Sequence, residues 1–163
     1  MIINIASVLN GEKESISFCG EENFPAFEFN GEKHEFVEPI KVSGCVSSKG
    51  EIFELDLKIT AKIAALCSRC TKPLVHTMEF ETLETLSITE ADEDVIYVSG
   101  TTLDLSDIVK ESIYNNMPIR FLCDKNCKGL CPKCGIDKNV KDCTCDEENN
   151  NSVFSKLDEL FKK

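Results

Sequence analysis

The sequence predicts an α+β fold: a mainly antiparallel β-sheet or partial barrel with one central helix, followed by a small cysteine-rich zinc-binding C-terminal segment and a C-terminal helix. Three observations carry that expectation. A long stretch of alternating apolar residues occupies the middle of the chain, one amphipathic helical pattern follows it, and six cysteines crowd into the segment from Cys123 to Cys145.

The alternation is the strongest of the three. Phe53, Leu55, Leu57, Ile59, Ala61, Ile63 and Ala65 fall on one face. Glu54, Asp56, Lys58, Thr60 and Lys62 fall on the other, with Ala64 the apolar exception. A period of two describes a long, half-buried strand. SSKG, residues 47–50, is a turn signal before it, and VEPIKVSGCV reads as the preceding antiparallel strand. LVHTMEFETLETLSIT reads as the next strand, bent or bulged near Leu83, where the alternation slips. MIINIASVL reads as a first strand and VIYV, residues 95–98, as a short one. The helix spans about 104–116. Asp104 suits its N-cap with Asp107 at N3, and Leu105, Ile108, Val109, Ser112 and Ile113 share a face until Pro118 forbids continuation. After the polar linker DEENNN, Val153, Phe154, Leu157, Leu160 and Phe161 recur at helical spacing. The expected organisation is a β-rich domain over 1–118, a cysteine-rich zinc-binding segment over 119–146, and a linker with an amphipathic helix over 147–163.

Composition narrows the function classes. The chain has 163 residues, 42% of them hydrophobic, enough for one packed domain and a small appendage. MIINIASVLNGEKES lacks the pattern of a secretory signal, and no apolar run approaches the roughly 20 residues that span a bilayer. A cytoplasmic protein without membrane contact is expected, and thiols there stay reduced. The net charge of −11 is uneven. Residues 1–116 carry nine Lys and Arg against 21 Asp and Glu, a net −12. Residues 117–145 carry six against three, a net +3, through Arg120, Lys125, Lys128, Lys133, Lys138 and Lys141. The acidic bulk repels phosphate and argues against broad, non-specific nucleic-acid binding. An RNA contact is expected only at those six basic residues.

Eight of the ten cysteines form close pairs: Cys67/Cys70, Cys123/Cys127, Cys131/Cys134 and Cys143/Cys145. Cys19 and Cys45 stand alone. In CPKCG, residues 131–135, two intervening residues let both sulfurs face one ion, and Gly135 permits the backbone twist of a knuckle. Cys131, Cys134, Cys143 and Cys145 are the expected ligands of one tetrahedral zinc site. Lys, Asp and Asn surround these thiols, which is no setting for inert core cysteines. Cys67-Ser-Arg-Cys70 is a weaker signal, readable as a redox pair or as half of a second site. It joins two strand-like segments, whereas a thioredoxin-like pair sits at a helix N-terminus. A second site of Cys67, Cys70, Cys123 and Cys127 fits better, although Cys123 or Cys127 could replace a ligand of the first. Cys127, Cys131 and Cys134 also match the C-x3-C-x2-C spacing of radical enzymes that use S-adenosylmethionine. Too little chain follows for the barrel such chemistry needs. His34 and His76 are the only histidines, no glycine-rich phosphate loop is present, and EADED, residues 90–94, reads as a solvated loop.

CSRCTKPL, LDLSDIVKESIYNNMPIRFLC and CKGLCPKCGIDKN with DCTC, in that order, resemble the bacterial YceD family, the large ribosomal RNA subunit accumulation proteins also found in plastids. The resemblance implies a role in accumulation of large-subunit (23S) ribosomal RNA and in ribosome biogenesis, with no established enzymatic activity. The expectation is a non-enzymatic zinc-binding factor whose partner is ribosomal RNA or a basic ribosomal or assembly protein, with no small-molecule substrate. The alternatives are a thiol redox enzyme or sensor using Cys67 and Cys70, and a zinc-ribbon adaptor that binds protein alone.

Overall fold

The computed structural model describes residues 1–50, 52–89 and 95–145. The helix expected within 147–163 and the loop expected at 90–94 lie outside the described residues. In chain order the elements are β1 (Ile2–Asn4), a one-turn α1 (Ala6–Leu9), β2 (Ser15–Glu22), β3 (Phe27–Phe29), β4 (Glu32–Phe36) and β5 (Ile40–Lys49). They continue with β6 (Ile52–Leu66), β7 (Pro73–Ser87), β8 (Val95–Tyr97), β9 (Thr102–Asp104) and α2 (Ser106–Asn115).

The alternating stretch is β6, the central strand of a seven-stranded sheet. One edge of β6 pairs with β7 without interruption, from Phe53↔Leu86 to Leu66↔Pro73. Its other edge is shared. β5 covers Ile52 to Thr60, and β4 takes over at Ile63 and Ala64. β2 lies outside β5, β3 outside β4, and β8 adds in parallel to the end of β7. β1 and β9 form a separate antiparallel ribbon. Period two does the expected work on β6. Leu55, Leu57, Ile59, Ala61 and Ile63 are buried while the residues that alternate with them are not. Their face joins one core with Ile5 and Val8 around α1, Leu103 of β9, Leu105 just before α2, and Val109 and Ile113 of α2. At Gly44 of β5 a side chain would strike the Asp56 carbonyl, and the Phe18 ring covers the space instead.

Four details depart from the sequence reading. β7 carries no bulge, since its register with β6 is continuous. Leu83 simply faces out opposite Asp56, and the inward neighbours Thr82 and Glu84 are polar, which imitates a slip in the pattern. The N-terminal strand ends at Asn4, whose Oδ1 accepts the Ala6 amide at 2.9 Å and turns the chain into α1. The main helix begins at Ser106, not Asp104, with Leu105 as its N-cap. Asp104 closes β9, and its carboxylate accepts the Ser106 amide at 3.0 Å and hydroxyl at 2.7 Å. Finally, β2, β3 and β4 are additional strands. Asn30 and Gly31, both at positive φ, make the two-residue turn between β3 and β4.

Candidate metal centres

The β6–β7 hairpin ends in a tight turn, Cys67 to Lys72, beyond the sheet. The Cys67 amide donates to the Lys72 carbonyl at 2.9 Å and the Thr71 amide to the Cys67 carbonyl at 2.9 Å. Thr71 sits at φ 57°. The turn at Cys131–Ile136 repeats this pattern. The Cys131 amide donates to the Ile136 carbonyl at 2.8 Å and the Gly135 amide to the Cys131 carbonyl at 2.8 Å. Gly135 sits at φ 72°. In each turn the residue after the second cysteine swings into the left-handed region, so both sulfurs of the pair point the same way.

The segment after α2 is brought to the hairpin turn by Phe121. This ring is buried, 5.3 Å from His34 and 5.3 Å from His76 by ring centroids. Both histidines are thus packing partners of one aromatic ring. The Ser68 amide donates to the Phe121 carbonyl at 2.7 Å, and the Phe121 amide donates to the Ser68 hydroxyl at 3.2 Å. Two residues on, Cys123 reaches Cys70, their sulfurs 3.5 Å apart, and Cys127 lies 3.8 Å from Cys67. Arg69 ties the return, its Nη1 donating to the Cys127 carbonyl at 2.7 Å and its own carbonyl accepting the Leu130 amide at 3.0 Å.

Two groups of four sulfurs result. Cys67, Cys70, Cys123 and Cys127 form a tip cluster, and Cys131, Cys134, Cys143 and Cys145 form a knuckle cluster. Within each, the sulfurs all lie within 4.8 Å of one another. In the knuckle cluster Cys143 is 3.3 Å from Cys131 and 3.4 Å from Cys134. Four thiolates at about 2.3 Å from one tetrahedral ion stand about 3.8 Å apart, so both groups have the dimensions of a metal site. A disulfide needs about 2.05 Å, and all ten cysteines are free. The tip cluster is the more enclosed, with Cys67, Cys70 and Cys127 buried beside Leu74 and Leu122 and Cys123 exposed, while the knuckle buries Cys131 alone. Cys19 and Cys45 belong to neither group.

The protonation pattern fits a cation. The Cys123 backbone amide brings the Cys67 thiol down to about 6 against the effect of burial, with the Cys70 and Arg69 amides assisting. Cys123 itself is pushed up to about 12 by hydrogen bonding to the sulfurs of Cys70 and Cys127. In the knuckle, the amides of Cys134 and Lys133 and the Cys143 thiol bring Cys131 down to about 6. Cys143 is pushed up to about 12: the Cys145 amide pulls it down, but the sulfurs of Cys131 and Cys134 outweigh it. The first thiolate of each cluster forms readily and the last resists. A dication among the sulfurs removes that resistance.

Of the six basic residues singled out in the sequence, Arg120, Lys125, Lys128, Lys133 and Lys141 are exposed, and Lys138 is half-buried. Arg69 and Lys72, in the hairpin turn, bring two more basic side chains to this end of the molecule. Charge counting along the chain misses them, because they precede the basic segment by some 50 residues.

No helix among the described residues is long and apolar enough to cross a membrane. No solved structure matches the chain. Among curated proteins, the chain is 28% identical to the uncharacterized protein YlbN of Bacillus subtilis (strain 168) over 131 residues, 77% of this chain and 74% of that one. It is 31% identical over 58 residues to the large ribosomal RNA subunit accumulation protein YCED homolog 1, chloroplastic, of Arabidopsis thaliana, covering 36% of this chain and 18% of the relative. It is 28% identical over 109 residues to the uncharacterized protein Rv2926c of Mycobacterium tuberculosis (strain ATCC 25618 / H37Rv), spanning about half of each, 54% and 52%. The family model for the large ribosomal RNA subunit accumulation protein YceD matches residues 55–161, from near the start of β6 through both clusters. The chain therefore belongs to the YceD family.

Proposed function

We propose that the chain is a non-enzymatic, zinc-binding factor that supports accumulation of large-subunit ribosomal RNA, and with it ribosome biogenesis, in the cytoplasm. The observation that carries this reading is the pair of four-sulfur clusters fastening a lysine-bearing segment to one end of an acidic sheet. An all-thiolate donor set suits zinc rather than magnesium or calcium. Four protein ligands leave no open position for substrate, which is the mark of a structural site. Cys67 and Cys70 lie in a strand-to-strand turn against two further sulfurs, not at a helix N-terminus, which weighs against the thiol-redox alternative. The partner is ribosomal RNA touched by the basic end, or a basic ribosomal or assembly protein held by the acidic sheet.

Elemental analysis of protein purified under reducing conditions tests the metal. Two zinc ions per chain are expected, and absence of metal or an iron–sulfur absorption spectrum refutes the assignment. In cells, Cys67→Ser/Cys70→Ser should lower large-subunit RNA. Crosslinking to RNA in growing cells separates an RNA-contacting factor from a protein-only adaptor.

A further inference from the structure

The two clusters share more than the five-residue run from Cys127 to Cys131. Asn139 belongs to the loop between Cys134 and Cys143, inside the knuckle, yet its Nδ2 lies 3.3 Å from the sulfur of Cys127 in the tip cluster. Every polar atom of that side-chain amide is engaged. Oδ1 accepts the Lys128 amide at 2.7 Å, and Nδ2 also donates to the Asp137 carboxylate at 2.6 Å. The partners fix the amide's orientation. Turned over, its oxygen would face a sulfur and a carboxylate, and its nitrogen would face an N–H. Asp137 holds Asn139 from the other side by accepting its backbone amide at 2.8 Å. The loop is laid along the connecting run by the Leu130↔Asp137 bridge and by the Lys138 amide donating to the Gly129 carbonyl at 2.9 Å.

We infer that Asn139 is a positioning residue that couples the two metal sites: folding of the knuckle loop around its own sulfurs places the hydrogen bond that completes the tip cluster. The inference rests on the metal reading given above. A hydrogen bond donated to a ligand sulfur fixes that sulfur's orientation toward the ion and offsets part of the negative charge that four ligand sulfurs crowd together. Filling the knuckle orders the loop that carries this donor, so it strengthens the tip site, and by linkage a filled tip site strengthens the knuckle by the same factor. The link has a direction of failure. Loss of metal from the less buried knuckle withdraws Asn139 and weakens the more buried tip cluster next.

Cadmium, which takes the same thiolate donors as zinc, supplies the test. Cadmium NMR of the full chain should show two resonances, assigned by through-bond correlation to the β-protons of each cysteine. Asn139→Ala should shift the resonance of the tip cluster, to which residue 139 contributes no ligand, and weaken chelator-measured affinity there about 10- to 100-fold. Cys143→Ser/Cys145→Ser should weaken the tip site by a similar factor, and the triple variant no further, because both changes break one link. An unmoved tip resonance in Asn139→Ala overturns the inference even where the knuckle variant fails to fold. Additive losses overturn it too. Two ions bound with independent affinities reject the coupling alone, whereas a wild-type chain that takes up fewer than two ions rejects the metal reading as well.

Discussion

Thr71 and Gly135 occupy the same place in two equivalent turns, and the difference between them governs how each reads in the sequence. CPKCG announces a knuckle because glycine meets the positive φ at no steric cost. CSRCT hides the same turn behind a β-branched residue that adopts φ 57° under strain. The tip site was therefore the harder one to read, and the long-range grouping of Cys67 and Cys70 with Cys123 and Cys127 depends on Phe121, which no spacing rule identifies. Glycine substitutions separate conformation from contact. Gly135→Ala meets open space and should cost only the left-handed conformation, about 1–2 kcal/mol. Gly129→Ala bears the same conformational cost at φ 74° and also sets a methyl group 3.0 Å from the Arg69 carbonyl. Crowding of that kind adds about 1–3 kcal/mol and should undock the knuckle from the hairpin tip. Urea unfolding followed by the chelator concentration at half release should rank Gly129→Ala below Gly135→Ala. Equal losses would show that the Arg69 contact is soft.

The strands differ in legibility for reasons that lie in their faces. β6 is central and one of its faces is buried from Phe53 to Ile63, so its pattern is nearly perfect. β2 is an edge strand whose inward positions, Ile16, Phe18 and Gly20, are only half-buried, and its alternation is correspondingly weak. The β3–β4 hairpin did carry a usable signal, Asn30-Gly31 between FEF and EKHEF, which marks a two-residue turn. The asymmetry of β6 makes a direct prediction. Ile59→Ala should cost about 2–5 kcal/mol and Thr60→Ala, one residue along on the outer face, less than about 0.5 kcal/mol, by thermal unfolding of the metal-loaded chain. The outer face also carries Lys58, 3.0 Å from Glu79 and 3.7 Å from Glu81. Glu79 first and then Glu81 raise its pKa above 10.5. A folded value above the unfolded one adds stability that is fully present below the unfolded pKa and is lost as pH rises through the folded one. Lys58→Met should thus flatten the alkaline limb of the stability profile as the pH rises past about 10.5, where the wild type loses this contribution. An alkaline limb identical to that of the wild type would mean the pair is solvent-screened.

At the scale of the molecule, a self-sufficient sheet meets an end that has few apolar side chains of its own. The sheet core is one contiguous cluster of buried residues, whereas the tip cluster is three buried cysteines with Leu74 and Leu122 at its border. Metal removal should accordingly free the backbone amides of 120–145 and of the hairpin turn at 67–72 for hydrogen exchange, while β5, β6 and the body of β7 stay protected. Loss of protection throughout the sheet would show that the clusters hold the whole fold. The same end sets the electrostatics of any RNA contact. Arg69 and Lys72 of the hairpin turn join the six basic residues of 117–145, and that segment's acids are Asp124, Asp137 and Asp142. Two four-thiolate sites, each about −2 with zinc in place, cancel most of the excess of five positive charges. The rest of residues 1–116, net −14 once Arg69 and Lys72 are counted with that end, repels phosphate beyond it. Two or three phosphate contacts are what such an end can support, and each contributes about 0.7–0.9 to the salt slope. Isolated protein should bind naked ribosomal RNA weakly, with a log–log salt slope of about −2, and more tightly beside a basic partner protein that offsets the acidic sheet. Replacing Lys125, Lys128, Lys133, Lys138 and Lys141 by glutamine, with Arg69, Lys72 and Arg120 kept, should reduce that slope and lower large-subunit RNA in cells without loss of zinc. Normal RNA levels with intact zinc would leave the acidic sheet, not the metal-bound end, as the surface that works.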